Sequence, residues 1–169
     1  MRAIPILFMA VLATLPASAQ EVGWYAGPTL GWFNTRFGSR LGLNAGVSFQ
    51  RFDEHPNLRV DLRYVQRGGG CCPIHSLQAP VLYTTMLTAT GYVFVGPALA
   101  IGYAYDQERI ADLSAVGGFG LELYRTETKV IGCEAAYSVS LPLYHLSYYG
   151  FETVDDPLQG LSLNFILRL

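Results

Sequence analysis

Between Leu41 and Gln66, apolar and polar residues alternate through two consecutive strand-length runs. In the first, Leu41, Leu43, Ala45, Val47 and Phe49 share one face, and Gly42, Asn44, Gly46, Ser48 and Gln50 share the other. After a break at residues 53–57 the pattern resumes, with Leu58, Val60, Leu62 and Tyr64 opposite Arg59, Asp61, Arg63 and Val65. Strict period-two alternation is a strand signal, and a Pro/Asn/Asp-rich break between two such runs predicts a hairpin. Three charges stand in one row of a strand whose other face is wholly apolar. Two architectures produce this: a soluble barrel with its apolar row inward, or a transmembrane barrel with that row on lipid and the polar row in the lumen.

The same alternation predicts strands over residues 23–33, 40–52, 58–67, 74–85, 92–105, 114–124, 130–141 and 160–169. In the first, Trp24, Ala26, Pro28, Leu30 and Trp32 oppose a row of small residues, and the tryptophans near both ends suit interfacial aromatic girdles. In the fifth, Val93, Val95, Pro97, Leu99 and Ile101 lie opposite Tyr92, Phe94, Gly96, Ala98 and Ala100. Proline is unusual in a central strand, and Pro80 similarly interrupts the fourth. Eight runs of about 10 residues have the number and length of the smallest membrane barrels. The connections at 53–57, 86–91 and 125–129 are short and fall on the side of both termini, whereas the glycine/cysteine loop at 68–73, the charged loop at 106–112 and the loop at 142–157 predict a longer-looped far side.

Composition then narrows the choice. The chain is 51% hydrophobic and only 14% charged, against about 25% in an average globular domain. A soluble secreted barrel that binds an apolar ligand, with the apolar rows turned inward, would need a more charged exterior than this supplies. The N-terminus begins with Met1-Arg2, continues with an apolar run from Ile4 to Leu15 and ends in Pro16-Ala17-Ser18-Ala19. That is the pattern of a secretory signal peptide, with cleavage expected between Ala19 and Gln20. No Cys follows the cleavage position, so a lipoprotein anchor is not expected. The mature domain, residues 20–169, has no apolar stretch long enough for a transmembrane helix. Lipid tolerates strands only when they close into a barrel. The predicted class is therefore all-β, an eight-stranded antiparallel up-and-down transmembrane β-barrel in a bacterial outer membrane. Once Arg2 leaves with the signal, 10 basic residues face 13 acidic ones, a formal charge of −3 that points to no nucleic-acid partner.

Three segments, Leu58-Arg59-Val60-Asp61-Leu62-Arg63-Tyr64-Val65-Gln66-Arg67-Gly68, Leu77-Gln78-Ala79-Pro80-Val81-Leu82 and Val95-Gly96-Pro97-Ala98-Leu99-Ala100-Ile101-Gly102-Tyr103, occur in an order that resembles PorT-like outer-membrane β-barrel proteins. The resemblance covers nearly all of the mature chain. It implies an eight-stranded, OmpA-like barrel and carries over no catalytic residue and no cofactor.

Candidate chemistry lies in three places. If the faces are assigned correctly, Arg59, Asp61, Arg63, Glu122, Glu134 and Arg168 point into one narrow lumen, where isolated charges are costly and pairing is required. An ionic plug is the expected outcome, with a gated ion path or small-solute site as the alternative. A wide pore is excluded by the strand number. Cys71-Cys72, followed by Pro73, offers a vicinal loop disulfide or intermolecular pairing, and an odd total of three cysteines leaves one over. Cys133, on an apolar row, reads as lipid-facing. Cys71, Cys72 and His75 lack the fourth ligand of a structural zinc site, so no metal is expected. Finally, His145-Leu146-Ser147, with Glu152, Asp155 or Asp156 as orienting acid, has the residue types of a nucleophilic triad. On that reading the chain would be a lipid-modifying enzyme similar to outer-membrane lipid A deacylases. The motif is short enough to arise by chance, and the leading expectation is a non-enzymatic envelope protein. Its expected partners are outer-membrane lipid, the insertion machinery that reads the last strand, and an envelope protein met through the external loops.

Overall fold

Each predicted run forms a strand, because period-two patterning leaves every one of them with an apolar row that must be covered by the same solvent. A computed structural model describes residues 19–32, 39–52, 55–67, 74–103, 109–142 and 159–169. The strands are β1 (Ala19–Trp32), β2 (Ser39–Phe52), β3 (His55–Arg67), β4 (Ile74–Met86), β5 (Gly91–Tyr103), β6 (Arg109–Arg125), β7 (Val130–Pro142) and β8 (Gln159–Arg168). All neighbours pair antiparallel, and β8 returns to β1 to close the barrel. Closure leaves no strand edge unpaired, the condition for a sheet in hydrocarbon.

The register fixes the shape. Stepping from Val22 through Phe49, Val60, Val81, Pro97, Ala115, Val139 and Gln159 leads back to β1 at Trp32, ten residues further along. With a rise of about 3.3 Å per residue and about 4.8 Å between strands, that stagger corresponds to a tilt of about 41° and a backbone radius of about 8 Å. Such a tube is filled by its own side chains.

The faces fall as the alternation predicts. Trp24, Leu43, Val95, Phe119, Leu163 and Phe165 are each more than half exposed on the outside. Arg59, Asp61, Gln78, Ser48 and Glu134 are buried within. Along β6 the outward apolar row runs from Leu113 to Leu123. Those ten residue steps span about 25 Å of axis at this tilt, the height of a lipid-facing band.

Several details differ from the sequence-based expectation. β3 begins at His55, not Leu58, with Phe52 opposite His55, because a register shift between Gln50 and Phe52 lets the ladder continue past the polar break. Arg109 to Asp112, expected in a charged loop, extend β6 by pairing with Tyr103 to Ala100. Available ladder partners outweigh local charge near a barrel rim. Pro80 points into the lumen and is fully buried, while Pro97 faces outward. Ala19 and Gln20 stand at the head of β1, Ala19 opposite Phe52. The signal segment preceding them lies outside the described residues.

The lumen is also less uniformly polar than expected. Leu82, Tyr92, Phe94, Ala98, Val116 and Ala136 form an apolar cluster on the β4–β7 wall, facing a polar wall built by β1–β3 and β8. Tyr92 can lie flat there because its cross-strand partner is Gly120. A Cβ at Gly120 would run into the Tyr92 ring, whereas one at outward-facing Gly117 would meet nothing closer than 3.7 Å. We therefore expect Gly120→Val to lower the stability of the refolded barrel by about 1–3 kcal/mol, the usual cost of overpacking. Gly117→Val should leave the urea midpoint nearly unchanged.

Candidate functional site

Alternation along β3 sends Arg59, Asp61 and Arg63 to the same side, and closure of the barrel brings carboxylates from the opposite wall to meet them. Arg59 lies between two acids. Its Nε and Nη2 donate to the two oxygens of Asp61 at 2.7 and 2.9 Å. Its Nη1 and Nη2 donate to Glu134 of β7, the latter at 3.1 Å. The Arg59 guanidinium also lies 5.7 Å from the centroid of Tyr25 and 5.3 Å from that of Phe94. Aromatic faces of this kind stabilise a cation that has left water.

Glu134 extends the network to a third and fourth strand. It accepts a hydrogen bond from the Tyr92 hydroxyl at 2.6 Å. Arg168 donates to the same hydroxyl oxygen at 2.5 Å, sits 4.8 Å over the Tyr92 ring and comes within 3.8 Å of Glu134. Arg168 also pairs with Glu122 at 3.2 Å. At the mouth beside the short turns, Arg125 meets Glu122 at 3.0 Å with 43% of its side chain exposed. Five of the six charges expected in the lumen are thus joined in one network. It occupies the half of the barrel nearest the short turns.

Arg63 is the exception. It is buried and its Nε donates to Gln78 at 2.9 Å, yet it has no carboxylate partner among the described residues. Its Nη2 and the Nε2 of Gln78 are buried without hydrogen-bond partners. Beside them is a cavity of about 20 Å³. Spacing on β3 could not distinguish Arg63 from Arg59, because pairing depends on which residues of other strands stand at the same height.

Tyr92, Arg125 and Gln78 belong to the site although charge patterning does not single them out. Tyr92 sits in the inward row of its strand, and a phenol in a charged lumen is the signal that marks it. Arg125 lies at the end of a polar turn, and only a bulge between Glu122 and Tyr124 brings it beside Glu122. On the outside, Tyr64 and Tyr137 toward the long-loop side, and Tyr83 near the short turns, hydrogen-bond to His75, Gln159 and Asn57. His75 is thereby engaged with Tyr64, their rings stacked 6.0 Å apart. Cys71 and Cys72 lie outside the described residues, as do His145, Ser147, Glu152, Asp155 and Asp156. Cys133 stands on the outward row with a free thiol. No cluster able to hold a metal ion occurs among the described residues.

Removing one member of a buried charge pair leaves its partner charged and dry, at a cost of about 3–5 kcal/mol. Glu134→Ala should show that loss in urea unfolding of the refolded protein, because it strips Arg59, Tyr92 and Arg168 together. Arg125→Ala, at the solvated mouth, should cost about 0.2–1 kcal/mol. Equal effects of the two substitutions would contradict this picture of the network.

No family model matches the chain, and no curated protein matches it. Among solved structures it is similar to Neisserial surface protein A, with a TM-score of 0.57, 13% identity and coverage of 88% of this chain and 96% of that one. It is likewise similar to the attachment invasion locus protein Ail of Yersinia pestis, at TM-score 0.53, 11% identity and coverage of 88% and 98%. A de novo designed transmembrane β-barrel matches at TM-score 0.51 and 10% identity, covering 89% and 97%. At such identities the likeness is one of fold: this chain has the closed eight-stranded barrel architecture of these proteins.

Proposed function

We propose that this protein is a small, non-enzymatic outer-membrane β-barrel whose lumen is plugged by paired charges and whose role is exercised at its surface. The observation that carries the reading is its inverted solvent logic. Leucines and aromatics on all eight strands are exposed outside, while Arg59, Asp61, Arg63, Glu122, Glu134 and Arg168 are buried inside. A contiguous apolar exterior of this extent is far larger than a water-soluble monomer presents. Hydrocarbon is the solvent that suits it. The outward apolar rows likewise speak against a soluble carrier with an apolar cavity, because that design needs the same rows turned inward.

The ionic network supports the plug. Its members lie across the tube, and each charge of the pairs is nearly dry, so an open aqueous path would have to break several of them at once. What remains for function is the rim and the loops. Ail and Neisserial surface protein A are, by their names, an attachment and a surface protein. By that analogy we assign an envelope role in adhesion, in structure, or in an assembly with another envelope protein. The PorT-like resemblance enters this proposal as an architectural parallel. Delivery through a signal peptide cleaved between Ala19 and Gln20, and insertion by the barrel-assembly machinery, belong to the same reading.

The test is fractionation followed by gel electrophoresis with and without boiling. The protein should appear in the outer-membrane fraction and migrate differently when heated, as closed barrels do while they remain folded. Recovery from the periplasm with no heat-dependent shift would overturn the reading. Leu163, outward-facing near mid-height on β8, gives a second measure. Leu163→Arg should lower bilayer stability by about 2–4 kcal/mol, with a smaller loss in detergent micelles, where the head group reaches water more easily.

A further inference from the structure

Arg63 poses a separate problem in the half of the lumen nearest the long loops. Of the four guanidinium groups at the lumen and its turn-side mouth, Arg59, Arg168 and Arg125 share the three carboxylates Asp61, Glu122 and Glu134. Both oxygens of Asp61, the nearest acid along the strand, are taken by Arg59. Among the described residues Arg63 is left as the cation without a counter-charge in contact, although it is only 6% exposed. A lone buried charge is among the most costly things a fold can contain.

Two unpaired donors belong to residues that line one cavity. The Oε1 of Gln78 accepts from Arg63 Nε, which fixes the amide so that its Nε2 is the free donor. Arg63 Nη2 is the second free donor. Both residues line the 20 Å³ cavity, together with Thr29, Asn44, Ser138 and Ser162. The three hydroxyls already donate to backbone carbonyls of Gln66, Gly160 and Ala136. Asn44 donates to the Gly27 carbonyl and keeps a free Oδ1. The space holds one or two water-sized spheres. A halide-sized ion with a water matches that space, and a sulfate or a sugar matches it poorly.

From these observations we infer that Arg63 and Gln78 form a binding site for one small monovalent anion of halide size. The anion accepts from Arg63 Nη2 and Gln78 Nε2, and a water beside it donates to Asn44 Oδ1. A water alone would satisfy the same hydrogen bonds, but it would leave the guanidinium without a counter-charge in contact in a site of low dielectric. A counter-charge in direct contact with the guanidinium is what selects the anion. The site completes the loop side of the lumen, where no carboxylate among the described residues contacts Arg63.

A ligand that must leave before the barrel opens slows unfolding by a factor of one plus the ratio of its concentration to its dissociation constant. The folded band of the detergent-purified, full-length protein should therefore be lost about ten-fold more slowly, at one fixed temperature, in sodium chloride at about ten times that constant. The reference is sodium gluconate at equal ionic strength. Bromide should act like chloride, whereas sulfate should act like gluconate. In Arg63→Gln and in Gln78→Leu the chloride response should be lost, and Lys129→Gln, at an exposed turn, should retain it. An absent response in the wild type, an equal response to sulfate, or a response kept in both lumen variants would overturn the site. Should Arg63→Gln fail to fold, Gln78→Leu together with the wild-type anion series still decides the matter.

Discussion

Glu134 is the point at which the two walls of the lumen meet. Its carboxylate on β7 receives Arg59 from β3, the Tyr92 hydroxyl from β5 and the approach of Arg168 from β8. In a tube of about 8 Å radius such groups have no water to retreat to, so each must be satisfied by another side chain. The network is a requirement of burial more than a source of net stability, since well-packed apolar residues often do as well as a buried ion pair. What it adds is specificity. A slip of one residue in the register of β3 or β7 would turn these charges onto the outer face and an apolar row into the lumen.

The division of the lumen follows from the same geometry. The β4–β7 wall carries an apolar cluster beside Glu122 and Glu134, and packs Tyr92 and Phe94 over the bare backbone of Gly120 and Gly118. Those rings in turn provide the surfaces against which Arg168 and Arg59 lie. Glycine on β6 thus matters for the charges at one remove, by making room for the aromatics that shield them. The paired charges fill the turn-side half, and on the loop side the polar wall includes Arg63, which meets no acid among the described residues. The two halves of one lumen therefore differ in chemistry: the first is closed by paired charges, the second holds a guanidinium bound to an amide.

Outside, the constraint is the solvent. Strands that present leucine and aromatic rows to their surroundings need every backbone group paired internally, and only closure of β8 on β1 achieves that. The tyrosines Tyr64, Tyr83 and Tyr137 hold their hydroxyls against polar neighbours nearer the rims, an arrangement suited to an interface where ring and hydroxyl meet different media. Burial alone makes the exterior and interior complementary here: the residues that would form the core of a soluble protein form its coat.

Much of this was legible in the chain. Period-two patterning located eight strands and assigned Arg59, Asp61, Arg63, Glu122, Glu134 and Arg168 to the inner face, because in a strand the side of each residue follows from its parity alone. Strand ends were less legible: His55 and Arg109 joined strands because partners stood opposite them, and pairing is not a local property. The network itself was out of reach of the sequence. Which arginine meets which acid depends on the ten-residue stagger of the barrel, a sum over eight registers that no single segment encodes. Tyr92 as the bridge, Arg125 brought in by a bulge, and Arg63 without an acid among the described residues are consequences of that sum. The sequence by itself determined which residues face inward, since alternation is local. Only the tertiary structure decided which of them touch, since height in a closed barrel is set by all its strands together.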